Sequence, residues 1–393
     1  MNGLVYLTWN YLRRRPGPSA LLAACLGIAL LLPAVTHVLT SGFEDALRER
    51  SDATPLVLGA AGPPLDLTLA GLYFSRDGLE PLTTGLARRI GAREDLLAVP
   101  LDLEFTTRGR ALVGTVPEYF EERGIVARTG HLPFVAGEVV LGAALARELE
   151  LGVDDHLFSD PPDHLDLSRP SALKLRVCGV LHPTRSADDR AAFVTLETCW
   201  VLHGLAHGHD DVTTGTVDPS LILGQSDEEV RMSNAFIPYN EITPQNRATF
   251  HLHTDPDVLP LSCVLVFPRT AKAATLLKAE TNIERMYGPV QVADTRAELD
   301  ELLDLVLGLR RLLDGVALVL LGATAALGAL VLGLSMKLRT AELRTLDRLG
   351  SSARTVALLQ GLQIAFIAAV ALACAGLVLG ALLVLDPDLT LLL

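Results

Sequence analysis

The densest group of side chains able to do chemistry is the segment HGLAHGHDD. It sets His203, His207 and His209 beside Asp210 and Asp211, and His251 and His253 follow further along the chain. Neutral imidazole is a preferred ligand of zinc, copper and nickel. Histidines four apart share a helical face and histidines two apart share a strand face. Four of these groups could close a zinc site, drawn from His203, His207, His209, Asp210, His251 and His253. The same residues also describe a solvated polar loop in which histidines recur, and spacing alone leaves both readings open. No other reaction centre is patterned. The chain has no GxxxxGK[ST] loop to cradle phosphates, and no GxSxG, HExxH or CxxC. It is therefore expected to carry no ATPase or hydrolase centre of its own.

The elements that would hold such groups are set by hydropathy. Half of the 393 residues are apolar while only 5% are aromatic, and mean hydropathy is +0.36. Three runs lack Asp, Glu, Lys and Arg altogether: 16–42, 315–336 and 355–385. Each exceeds the roughly 20 apolar residues needed to cross a hydrocarbon core about 30 Å thick. The first is too long for the h-region of a signal peptide and has no clear small-x-small cleavage site, so it reads as an uncleaved anchor.

Basic residues near membrane ends stay on the cytoplasmic side. Arg13, Arg14 and Arg15 place the N-terminus inside. Lys337, Arg339, Arg344, Arg348 and Arg354 make the segment between the second and third runs cytoplasmic. The long stretch between the first two runs then lies outside. Arg310 and Arg311 run against the rule, but Asp304 and Asp314 flank them and a long outer segment weakens the charge count. The net charge of −13 argues against a nucleic-acid partner, which needs a basic patch.

The reading is a membrane protein of three transmembrane α-helices, with a large α+β extracytoplasmic domain inserted between helices 1 and 2. Its divisions are 1–17, a cytoplasmic interfacial helix; 18–41, the first transmembrane helix; 42–311, the outer domain with stalk helices at both ends; 312–336, the second; 337–356, a cytoplasmic segment; 357–385, the third; and 386–393, an outer tail. In LVYLTWNYLRRR, Leu4, Leu7, Tyr11 and Leu12 fall on one helical face, and Pro16 and Pro18 end that helix and start the next. FEDALRER (43–50) is expected to be an exposed charged stalk. LKLRVCGVL (173–181) and LSCVLVF (261–267) read as strands, and GEVVLGAALARELEL (137–151) as a strand turning into a helix. From Asp294 apolar residues recur at three and four with no proline, so one helix is expected to run from the outer domain into the second membrane run. Gly376 and Gly380 give a GxxxG face for helix packing. Of the outer cysteines Cys178, Cys199 and Cys263, two could pair in an oxidising compartment, or all three could be small buried residues.

The cytoplasmic segment KLRTAELRTLDRLGSSARTVALLQGLQ resembles the region after the second transmembrane helix of MacB/FtsX/LolE-type ABC transporter permeases. The matching positions are Arg339, Glu342, Leu343, Arg348, Leu349, Gly350, Ser351 and Arg354. YLTWNYLRRRPGPSALLAACLGIAL and GTVPEYFEERGIVARTGHLPFVAGEVVLGAALARELELGVDD are similar to that family's N-terminus and MacB-like periplasmic domain. The resemblance implies a mechanotransmission permease of the bacterial inner membrane, coupled through 339–354 to a separate cytoplasmic ABC ATPase dimer. It implies pairing with itself or a homologous permease, and room for a periplasmic partner. Family members carry four transmembrane helices, so the three runs here imply either a three-helix variant with an external C-terminus or a truncation. A membrane-anchored sensor or receptor would need the outer domain but no coupling segment.

Overall fold

The computed structural model describes residues 2–14, 16–75, 79–161, 172–208, 222–225, 230–232, 240–252, 254–283, 287–338 and 353–385. The chain divides into two compact units, Met1–Ala46 with Glu301–Leu393, and Leu47–Asp300.

The first unit is helical. Asn2–Arg14 is a helix, and a second, Pro16–Ala53, begins at a proline whose fixed φ and missing N–H suit the first helical position. Thr295–Leu338 and Ala353–Leu385 follow. Three segments are long and apolar enough to cross a membrane: Ser19–Ala53, Thr295–Leu330 and Ala357–Ala381. Their side chains are displayed rather than packed inward. Leu318 and Val319 are each 72% exposed and Leu377 is 74% exposed, which water would penalise and hydrocarbon would not. The Asn2–Arg14 helix packs on Ala353–Leu385, with the Trp9 ring edge-on to Phe366 at 5.6 Å.

The second unit is a large mixed α/β domain that follows the first long helix in chain order. Among the described residues it contains a ten-stranded sheet. Its strands are β1 (Leu56–Ala60), β2 (Leu96–Thr107), β3 (Arg110–Thr115), β4 (Ala127–Gly130), β5 (Glu138–Leu141), β6 (His156–Phe158), β7 (Lys174–Leu181), β8 (Ala192–Thr195), β9 (Cys263–Pro268) and β10 (Val290–Asp294). Their order is β10-β1-β9-β2-β3-β8-β5-β7-β4, with β6 also on β7. β3 with β8 and β5 with β7 are parallel; the other neighbours are antiparallel.

The long strand β2 joins the two ends of this sheet. Its first half, Leu96–Leu101, pairs with β9, and after a register shift near Asp102 its second half pairs with β3. Three cores result. One lies between β1, β9 and helix Ala271–Thr281, with Leu58, Val266 and Leu277 fully buried. Another lies under β5, β7 and β8, with Val139, Leu175 and Val194 fully buried. The third sits at the middle around Tyr119, Phe120 and Phe193, whose rings meet at 5.4–5.5 Å.

The segment 137–151 is strand β5 followed by the helix Ala143–Leu149. β7 occupies 174–181, while 261–267 holds the short strand Pro260–Leu261 and then β9. All five cysteines are free; Cys178, Cys199 and Cys263 are buried, so of the two readings of the outer cysteines it is the packed one that the fold contains. Burial and the nearby Asp102 push the Cys263 thiol up to about 12.

Candidate functional site

The site that ties this fold to its long helices is built from the last turn of Pro16–Ala53. Arg50, at 8% exposed, and Ser51 of that turn are buried, and so is Leu47 one turn earlier. The expectation of an exposed charged stalk over 43–50 is therefore corrected at Leu47 and Arg50. Asp45, Arg48 and Glu49 do face solvent, but Arg50 turns inward because the domain supplies it with a carboxylate.

That carboxylate is Asp188, 1% exposed, in the single turn Ala187–Arg190 between β7 and β8. Arg50 grips it with two nitrogens, Nη1 on Oδ2 and Nη2 on Oδ1, the latter at 3.3 Å, and donates Nε–H to the Leu72 carbonyl at 3.0 Å. The Tyr119 hydroxyl donates to Asp188 Oδ1, and the Ser186 hydroxyl to Oδ2 at 2.6 Å. A second cation, Arg123, lies 3.6 Å from Oδ2, donates to Thr54 Oγ1 and stacks its guanidinium 4.6 Å from the Tyr119 ring centroid. Burial alone would push the Asp188 carboxyl up. Arg50 and Arg123 outweigh it and hold the group at about 2. Burial pushes the Tyr119 phenol up and the Arg123 guanidinium down. Two cations, one anion and a phenol thus share one buried cluster. Such a cluster persists only while every charge has a partner.

The start of the second long helix is stitched to the same turn. Thr295, fully buried, donates its hydroxyl toward the carbonyls of Ser51, Thr54 and Pro55, at 3.2, 2.6 and 3.2 Å. Its amide donates to the Pro55 carbonyl at 3.3 Å, and Arg296 pairs with Asp52. The end of one helix and the beginning of the other therefore meet at 50–55 and 294–296, all within the Leu47–Asp300 unit.

The histidines separate into two places. His203 points Nε2 at buried Asp102, 2.8 Å away, with the Phe105 ring edge-on at 4.7 Å. His207 and His251 face each other across the two-stranded ladder Ala206–His207 with His251–Leu252, their rings 5.1 Å apart, and His251 Nδ1 lies 2.8 Å from the Thr249 carbonyl. His209, Asp210 and His253 lie outside the described residues, as do Arg339, Glu342, Leu343, Arg348, Leu349 and Gly350 of the coupling segment. Arg354 is described, exposed in the first turn of Ala353–Leu385. A Cβ built at Gly376 or Gly380 would meet nothing within 4 Å among the described residues. Gly27 instead faces the Ala371 carbonyl, 3.6 Å from where its Cβ would stand.

Sequence reading missed Arg50, Asp188, Tyr119, Arg123 and Thr295. It also missed a group at the far edge of the sheet, where His131, Glu138 and Cys178 converge. The only trace of the last in the sequence is a pair of glycines, Gly130 before His131 and Gly179 after Cys178. Burial, with Glu138 close by, pushes the Cys178 thiol up to about 12.

No family model matches the chain, and no curated protein matches it. Among solved structures, the extracellular domain of the noncanonic ABC-type transporter YknZ from Gram-positive bacteria is similar over 60% of this chain and 98% of that chain, at 10% identity and a TM-score of 0.34. That likeness is too distant to assign the chain to a family.

Proposed function

We propose that this chain is the permease subunit of an ABC-type machine, in which a separate cytoplasmic ATPase moves the 339–354 segment and the Leu47–Asp300 domain delivers the motion outside the bacterial inner membrane. The observation that carries the reading is the junction. The ends of two helices long enough to cross a membrane are fixed to each other through Thr295 and to the domain through Arg50 and Asp188. A shear between those helices would load the domain's most costly contacts directly, whereas a tethered sensor needs no such stitching. The resemblance of Arg339, Glu342, Leu343, Arg348, Leu349, Gly350 and Arg354 to a coupling helix supports the same reading. In it the N-terminus is cytoplasmic, ATP hydrolysis belongs to the partner, and the permease pairs with itself or a homologue across the bilayer. No cargo is assigned.

The test is the ATP hydrolysis that accompanies the full chain purified in detergent from its own membrane. A copurifying polypeptide with a GxxxxGK[ST] loop and vanadate-sensitive hydrolysis is expected with the wild type, and both are expected to disappear with the double change Glu342→Ala and Gly350→Trp. Wild-type material that carries no ATPase would replace this proposal with an anchored sensor.

A further inference from the structure

At the edge of the sheet three different donor types approach one point. One ring nitrogen of His131, one carboxylate oxygen of Glu138 and the Cys178 sulfur all lie within 4.8 Å of one another. Cys178 is on β7, Glu138 opens the parallel strand β5 on one side of it, and His131 follows the antiparallel strand β4 on the other. Two glycines make this approach possible. A Cβ at Gly130, where φ is +72°, would stand 2.0 Å from the Cys178 carbonyl oxygen, and a Cβ at Gly179 would stand 2.4 Å from that of His131. Both contacts are with backbone and cannot be relieved by a rotamer, so only glycine lets the chain lie this close. The His131 amide donates to the Cys178 carbonyl at 2.9 Å and fixes the position.

The ring and the carboxylate are already oriented. His131 Nδ1 is 2.7 Å from the Leu132 carbonyl, which can only accept, so Nδ1 carries the hydrogen. Nε2 then faces Glu138 Oε1 at 3.9 Å. In a neutral ring that nitrogen holds a lone pair, so it and the carboxylate oxygen are two acceptors that a cation placed between them would satisfy together. A histidine that gives its other N–H to a backbone carbonyl is also the usual arrangement of a metal ligand. Glu138, 5% exposed, accepts from Arg176 Nη2 at 2.7 Å on the same Oε1 and from the Phe134 amide at 3.3 Å on Oε2, which leaves lone pairs on both oxygens. Arg176 is itself anchored to Asp154 at 3.2 Å.

We propose that His131, Glu138 and Cys178 form a zinc site that clips the loop between β4 and β5 onto β7, with water in the fourth position. Nitrogen, oxygen and sulfur are all zinc ligands, and sites with three protein ligands complete the tetrahedron with water. With zinc–ligand bonds of about 2.0–2.3 Å, neighbouring donors stand roughly 3.3–3.7 Å apart. The present set must therefore close by about 1 Å at its widest. His131 is the ligand able to make that shift, since its side chain is 49% exposed. On binding, the zinc–sulfur bond forms as the S–H bond breaks, the proton passes to solvent, and no electron is transferred. The site shares no residue with the His203, His207 and His251 groups and does not depend on the permease reading.

The test uses the full chain in detergent, stripped by a chelator and titrated with zinc, and separately with cobalt(II) as an optical probe. One equivalent of zinc is expected, with a sulfur-to-cobalt charge-transfer band in the near ultraviolet. His131→Gln and Cys178→Ser are each expected to weaken zinc by at least about 10-fold, and Cys178→Ser to remove the band. His207→Gln with His251→Gln is expected to leave both unchanged. Cys178 lies in the core, so folding of its variant is checked by Trp200 fluorescence; surface His131→Gln reports without that concern. Absence of zinc binding, unchanged affinity in His131→Gln, or a band that vanishes in the His207/His251 variant would each overturn the proposal, the last moving the metal to the other histidines.

Discussion

Asp188→Ala should destabilise the Leu47–Asp300 domain by about 3–5 kcal/mol, the cost of leaving buried charge without its partner. The variant strands Arg50 and Arg123 together in one buried cluster, one of them already short of hydrogen-bond partners at Nε. Urea unfolding followed by Trp200 fluorescence, in a Trp9→Phe background, measures the loss. Tyr119→Phe removes only the hydroxyl that donates to the carboxylate and should cost about 1–3 kcal/mol. The effect must also depend on pH with a definite sign. Asp188 is held at about 2 against an ordinary 3.8, so its contribution is complete above pH 4 and is lost as pH falls toward 2. The gap between wild type and Asp188→Ala should therefore narrow in acid, by roughly 2 kcal/mol. Equal stabilities at neutral pH would mean that the Arg50 contact holds nothing.

Gly142→Ala should cost about 3 kcal/mol, the upper end of overpacking. Gly142 precedes the helix Ala143–Leu149, and a Cβ there would stand 2.2 Å from the Asp188 carbonyl oxygen and 2.5 Å from that of Asp189. Backbone is on both sides, so the turn that carries Asp188 must itself be displaced. The substitution reaches the Arg50 pair from the opposite direction. Because both changes act on one network, the double variant should lose clearly less than the sum of the two. Gly62→Ala, whose Cβ would meet nothing within 4 Å, is the control and should change stability by no more than about 0.5 kcal/mol. An unchanged midpoint for Gly142→Ala would show that the turn moves freely and that Asp188 is not rigidly placed.

What the sequence made legible follows from the range of the forces involved. The three apolar runs are local signals, each longer than a bilayer demands, and an unbroken helix from Thr295 follows from the absence of proline after Asp294. The β5-to-helix segment and β7 were legible for the same reason. The Arg50–Asp188 pair joins residues 138 apart in sequence. Nothing near Arg50 in FEDALRER distinguishes an inward arginine from its exposed neighbours, because the distinction is made by a carboxylate brought in by the parallel pairing of β3 with β8. His131, Glu138 and Cys178 were hidden likewise, brought together by the order β5-β7-β4. The histidine segment left a metal site and a polar loop both open, and three of its residues, His209, Asp210 and His253, lie outside the described residues. Of the rest, His203 lies at the end of a helix facing Asp102, and His207 lies on a strand facing His251.

The central claim is that events at a cytoplasmic partner reach the domain through 50–55 and 294–296. Hydrogen exchange of the full chain, purified with its ATPase and compared with and without ATP and vanadate, tests it most directly. The account predicts altered protection at 47–56, 187–190 and 290–300 in the ATP-trapped state, although on the proposed topology nucleotide would be held on the other side of the membrane. Identical protection across 47–300 in both states would contradict it.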